Sequence, residues 1–185
     1  MIIKTILSNA TQELTTNGSP SARLDAELIL AKLLNKSREW LIAHDDEKLS
    51  SDQAKEFESL IKRRLDHEPV GYINESIEFY GINFYIDKRV LSPRVETEAI
   101  VEEVIKKAPE GSSVIDIGTG SGAIAVATAK HRPDLIITAT EVSPEALDVA
   151  KLNAAKILGQ DHKINFIISD IWSDIKDKFD IVVTN

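Results

Sequence analysis

Between residues 113 and 184 the chain reads as four short apolar runs: SVIDI (113–117), LIITAT (135–140), INFII (164–168) and FDIVVT (179–184). Helical segments at about 122–131 and 144–158 separate the first three. The runs are rich in β-branched residues and too short for ordinary helices, so they read as strands. Few folds accept this alternation. Strands joined through helices lie parallel, with right-handed crossovers, in one sheet. The expected class is α/β. A sheet of four such strands is an incomplete half of a doubly wound arrangement, with one edge uncovered. The chain therefore reads as a fragment of a longer protein, or as one whose sheet a partner completes.

The first strand runs into Gly118-Thr119-Gly120-Ser121-Gly122 and then into a helix. Glycine at every second position marks a backbone that turns tightly and lets a ligand come close. N–H groups at the start of the following helix would face that ligand. Glu141 closes the second strand, where a carboxylate accepts from both hydroxyls of a ribose. An adenosine-type cofactor is implied. Gly118, Gly120 and Ala123 also satisfy G-x-G-x-x-A, so the loop by itself leaves NAD and S-adenosylmethionine (SAM) both open. Three details favour SAM. Asp116 lies within the strand, where its charge can balance an ammonium or sulfonium. A long N-terminal region precedes the α/β unit. Asp170, in SDIW (169–172), follows the third strand and can accept from an adenine amino group, or else cap a turn.

The N-terminal region reads as four helices. The first carries Ile2, Ile3, Ile6 and Leu7 and is broken at TNGSP (16–20). The second is expected to start with Ser19 as N-cap and Pro20 at its first position, with Leu24, Leu28, Ala31 and Leu34 on its apolar face. A third follows Ser37 through REWLIAH. The fourth has capping-box spacing from Ser50 to Gln53, carries Phe57, Leu60, Ile61 and Leu65, and is ended by Pro69. KRR at 62–64 reads as its solvated face. SIEFYGINFYID then suits a β-hairpin around Gly81, and a helix over about 96–107 places Glu96 and Glu98 in its first turn. The expected domains are a helical one at 1–70, a hairpin linker at 71–95 and a partial cofactor-binding domain at 96–185.

Composition removes several functional classes. Without cysteine there is no disulfide framework and no thiolate metal site, and the four histidines lack ligand spacing, so no metal is expected. A net charge of -8 argues against a broad grip on nucleic acid. No apolar run approaches the roughly 20 residues of a membrane span, and the first residues lack a cleavage site, so the cytoplasm is the expected compartment.

Five segments carry a resemblance: EPVGYI (68–73), EFYGINFYIDKRVLSPRVETE (78–98), VIDIGTGSGAIAVATAK (114–130), ATEVSPEALDVAKLNA (139–154) and FDIVVTN (179–185). In them the chain resembles the N-terminal two-thirds of HemK/PrmC-type proteins, the release factor glutamine N5-methyltransferases. The resemblance implies a small helical domain that helps to hold the substrate, a hairpin linker and a class I, Rossmann-like methyltransferase domain. It implies SAM as cofactor and a class 1 peptide-chain release factor as partner, methylated on the side-chain amide of the glutamine in its Gly-Gly-Gln motif. A monomer is expected, with no membrane and no direct nucleic-acid contact.

Among the residues, the resemblance implies that Gly118, Thr119, Gly120, Ser121 and Gly122 cradle the methionine part of SAM and that Glu141 holds the ribose. Asp170 and Ile171 would border the adenine. Asn185 matches the asparagine of the family's Asn-Pro-Pro-Tyr motif, which serves both cofactor and substrate amide. Two departures are visible: the usual Pro-Arg-Pro-Glu-Thr is Pro93-Arg94-Val95-Glu96-Thr97, and Ser92 replaces an apolar residue. Because the sequence stops at Asn185, before Pro-Pro-Tyr, little or no activity is expected of this chain alone. Three other readings stand beside this one. They are an adenine-N6 nucleic-acid methyltransferase, which shares the Asn-Pro-Pro-Tyr ending, an NAD-dependent oxidoreductase, and a non-catalytic binding module.

Overall fold

The computed structural model describes all residues, 1–185, and they fall into two units, Met1–Asn74 and Glu75–Asn185. The first is helical: α1 (Ile3–Thr16), α2 (Ala22–Leu34), α3 (Arg38–Ala43), α4 (Ser51–Leu65) and the single turn α5 (Val70–Ile73). Its core joins Ile3, Ile6 and Leu14 of α1 to Ile29 and Leu30 of α2 and Phe57 of α4. Local chemistry sets where α3 and α4 begin. The Ser37 hydroxyl accepts from the Trp40 N–H at 3.2 Å. Ser50 Oγ accepts from the Gln53 N–H at 3.1 Å while Gln53 Oε1 accepts from the Ser50 N–H at 2.9 Å, completing the expected capping box.

The second helix departs from expectation. It begins at Ala22 after Ser21, and Pro20 lies outside it. Asp25 is the reason: its carboxylate takes the hydroxyls of Ser19 (2.9 Å) and Ser21 (2.8 Å) together with the Arg64 guanidinium (2.8 Å), so Ser19 serves a side chain and caps no backbone. Leu24 is 40% exposed, and the helix buries Ala22, Ala26, Ile29 and Leu30 along with Asp25 and Glu27. Because α2 packs against α1, α3, α4 and α5, it has no single apolar face for periodicity to reveal. Glu27 is tolerated inside because Arg23 and Arg38 both pair with it. The fourth helix already ends at Leu65, and Pro69 instead caps α5.

In the second unit, β1 (Ile77–Phe79) and β2 (Ile82–Phe84) form the expected antiparallel hairpin. Tyr80 and Gly81 both have positive φ (51° and 69°), as a two-residue type I′ turn requires. The next helix does not begin at Glu96. A 3-10 turn, Val95–Thr97, precedes α6 (Glu98–Lys107), and Glu98 accepts from the Tyr80 N–H at 2.8 Å, which anchors the hairpin tip to the start of α6.

There follow β3 (Ser113–Ile117), α7 (Ala123–His131), β4 (Ile136–Glu141), α8 (Pro144–Leu158), β5 (Asn165–Ile168) and β6 (Ile181–Thr184). The four strands are parallel in the order β5-β4-β3-β6, with Ile115 opposite Thr138 on one side and Val182 on the other. The core of this unit gathers Phe79 and Phe84 of the hairpin, Val101 of α6, Val126 of α7 and Ile137 and Ala139 of β4. The strand order reverses between β3 and β6, and in open α/β sheets that switch point is where ligands bind. No helix is long and apolar enough to cross a membrane.

Candidate functional site

A cleft of about 530 Å³ opens where β3 and β6 end. Gly118, Thr119, Gly120 and Ser121 line it from the loop after β3, with Ala123 and Ile124 at the start of α7. Leu91, Ser92, Pro93, Arg94, Glu96 and Thr97 line it from the segment before α6, and Asn185 lines it from the end of β6. Asn185 Nδ2 donates to Thr97 Oγ1 at 2.8 Å, across 88 positions of sequence. Both carbonyl lone pairs of the Asn185 amide are left to accept from a ligand. The segment that carried the resemblance at 93–98 thus meets the last residue in space.

The three loop glycines are required for different reasons. All have positive φ: 72° at Gly118, 54° at Gly120 and 80° at Gly122. A Cβ added to Gly118 or Gly120 would meet nothing within 4 Å, so these two serve the turn and leave open space above it. At Gly122 the added Cβ would stand 3.1 Å from the Ala150 Cβ of α8. That glycine lets the loop lie against a helix and is not among the cleft-lining residues.

Most of the loop's N–H groups are already engaged. Gly118 and Thr119 both donate to the Thr140 carbonyl at 2.9 Å, Gly122 donates to the Thr119 carbonyl at 2.9 Å, and Gly120 donates to Glu141 Oε2 at 3.0 Å. Of residues 118–122 only Ser121 has no such bond. Glu141 Oε1 accepts from the N–H groups of Val142 (2.9 Å) and Ser143 (3.2 Å). With about four acceptor positions on a carboxylate, Glu141 retains capacity for a further donor.

Asp116 lies beneath the loop, 1% exposed, and does not line the cleft. Its Oδ2 accepts from the Thr119 hydroxyl at 2.6 Å, while its buried Oδ1 has no partner. Burial pushes the carboxyl up to about 6, partly opposed by Thr119 and the Ala125 amide at the start of α7, with the Glu141 charge adding to the rise. From this place Asp116 supports the loop through Thr119 and sets a carboxyl group below it. Asp170 and Ile171 lie in an exposed turn after β5. There the Asp170 carbonyl accepts from the Ser173 N–H (3.0 Å) and hydroxyl (2.8 Å), and its carboxylate has no protein partner. Ile171 is 59% exposed with φ 52°.

The acceptors left on Glu141 and Asn185 suit a ligand that brings hydroxyl or amide donors. The loop itself suits a pyrophosphate poorly, because four of its five N–H groups are already engaged, and the charged side chains of the lining, Arg94 and Glu96, are of opposite sign. Local patterning gave no signal for Thr97 beneath Asn185 or for Asn153 of α8, which bonds to the loop from behind; both contacts exist only once distant segments are folded together.

Residues 5–74 match the family described as PrmC N-terminal domain, and residues 95–185 the family described as methyltransferase small domain. A release factor glutamine methyltransferase of Koribacter versatilis is 39% identical over 189 residues, covering 100% of this chain and 66% of that protein. That of Streptococcus pneumoniae is 38% identical over 187 residues, covering 100% and 65%. That of Coxiella burnetii is 44% identical over 154 residues, covering 82% and 55%. The chain thus spans about two thirds or less of the length of these relatives. Both units match, in the same order as in the relatives, and the chain belongs to the PrmC-type family of release factor glutamine methyltransferases.

Proposed function

We propose that the cleft after β3 and β6 binds SAM, and that the chain carries the cofactor-binding and amide-holding part of a protein-glutamine N5-methyltransferase. The substrate in this reading is the glutamine of the Gly-Gly-Gln motif in a class 1 peptide-chain release factor, in the cytoplasm. The helical residues 1–70 help to hold that protein, and residues 71–95 link them to the methyltransferase domain at 96–185. The observation that carries the reading is the convergence of Asn185, Thr97 and residues 118–121 of the glycine loop on one cleft, with the carboxylate of Glu141 bonded to the Gly120 N–H beside it.

SAM supplies a methyl group already activated by its sulfonium. The remaining task belongs to the chain. Glu141 is suited to the ribose hydroxyls, and the 118–122 loop to the methionine end, with the buried Asp116 charge favouring its ammonium and sulfonium. Asp170 and Ile171 are suited to the edge and face of the adenine. An amide nitrogen is a poor nucleophile because its lone pair is delocalised into the carbonyl. An oxygen that accepts from its N–H bonds holds it in place and raises its electron density, and Asn185 Oδ1 is available for this because Thr97 occupies the nitrogen side. The proton leaves after transfer, so no strong base is required.

The test is calorimetric titration with SAM and with NAD. It is followed by pull-down of a release factor with and without its glutamine, and by mass spectrometry of the factor after incubation with SAM. Binding of SAM and not NAD is expected, together with capture of the release factor that weakens when its glutamine is replaced. Preference for NAD, or a methyl group placed elsewhere on the factor, refutes the reading.

A further inference from the structure

We infer that Asn153 is a positioning residue that locks the two walls of the cleft to each other. It lies in α8, is 1% exposed, and does not line the cleft. Its side-chain amide makes three bonds. Oδ1 accepts from the Tyr85 N–H at 2.8 Å, and Nδ2 donates to the Tyr85 carbonyl at 2.9 Å and to the Ser121 carbonyl at 2.8 Å. Toward Tyr85 it therefore behaves like one residue of a neighbouring strand, pairing with both backbone groups just beyond β2. Toward Ser121 it satisfies a carbonyl in the middle of the glycine loop.

The two partners lead to opposite sides of the cleft. Tyr85 begins the run through Asp87 and Arg89 to residues 91–97, one wall, and Ser121 belongs to the loop that forms the other. One helical turn earlier on α8, Ala150 is the residue against which Gly122 packs, so α8 holds the loop at two points, one steric and one polar. Only a short neutral amide fills this position. An aspartate accepts but cannot donate, and would set its charge against two carbonyl oxygens; an alanine leaves one N–H and two carbonyls unpaired in a buried site.

The inference rests on the proposed SAM reading for its affinity readout and for the slowing of exchange by SAM, and not for the shared opening event. The first arm uses the unaltered chain. Hydrogen exchange at the Tyr85 amide and in the 118–122 loop is expected to share one opening event, and saturating SAM is expected to slow both, although Tyr85 does not line the cleft. Slowing confined to the loop, or opening of Tyr85 independent of it, overturns the proposal. The second arm compares Asn153→Ala and Asn153→Asp with Val149→Ala, a fully buried control on the same helix, at a temperature where each is folded. Both Asn153 variants are expected to weaken SAM binding by about tenfold or more, with Asp retaining more Tyr85 protection than Ala, and the control by less than about twofold. Equal loss in the control, or unchanged affinity in Asn153→Ala, overturns it. Failure of the unaltered chain to bind SAM would count against the cofactor reading, and the shared opening of Tyr85 and the loop would still test Asn153.

Discussion

Replacing Asp116 by asparagine should shift the stability difference from the parent progressively in the variant's favour as pH rises. The carboxyl is almost wholly buried, its Oδ1 has no partner, and burial raises it from 3.8 to about 6. A carboxyl whose pKa is raised by folding contributes its full share of stability only below the unfolded value, and loses that share as pH climbs through the folded one. A shift of about two units corresponds to about 3 kcal/mol. On linkage, the cost of this site grows from about 0.6 kcal/mol at pH 4 to about 3 kcal/mol at pH 8. Asparagine carries a fixed cost of its own, about 1–3 kcal/mol for an amide nitrogen where Oδ1 now sits unpaired, but that cost does not vary with pH. The slope is therefore the readout. Urea unfolding of both proteins between pH 4 and pH 8 should show the stability difference moving in favour of Asp116→Asn by about 2–3 kcal/mol. A difference that stays flat across the range, or moves the other way, refutes the claim that an ionised Asp116 strains the fold.

Two further outcomes test the loop. Gly118→Ala should cost about 1–2 kcal/mol for its positive φ alone, whereas Gly122→Ala should cost about 1–3 kcal/mol more because its Cβ meets Ala150; denaturant midpoints at constant slope would show the order, and equal losses would contradict the packing argument. Glu141→Ala removes the acceptor of three backbone N–H groups as well as the proposed ribose ligand, and should weaken SAM binding by about tenfold or more in calorimetry while the chain stays folded.

What could be read without the structure was what local chemistry decides. The Ser50–Gln53 box, the start of α3 after Ser37, the turn at Gly81 and the span of β3 each depend on residues within a few positions of one another, and each lies where the pattern placed it. The start of α2 was not legible, because Asp25 draws Ser19 and Ser21 away from capping and is itself held by Arg64, 39 positions later. Its apolar face was not legible either, since a helix surrounded by four others buries nearly every side. In and beside the cleft, residues 118–122, Glu141 and Asn185 could be named as separate candidates. The Thr97–Asn185 bond and the Asn153 clamp could not, because nothing in either segment requires the other until the sheet has formed.

The choice of ligand shows how far the glycine motif reaches. G-x-G-x-x-A at Gly118, Gly120 and Ala123 permits a dinucleotide as readily as SAM, since the motif describes only where the chain can bend. What discriminates is the fate of the backbone donors after it bends. Thr140 takes two of them, Thr119 one and Glu141 one, and a phosphate pair arriving at this loop would find Ser121 alone among residues 118–122 with an N–H to offer. Asp116 then adds a charge that no phosphate would accept and that a sulfonium or ammonium would. Under the proposed SAM reading, the side chains that bear on the choice are Asp116 of β3 and Glu141 of β4, behind and beside the loop, and substituting either should alter ligand selectivity without touching a glycine.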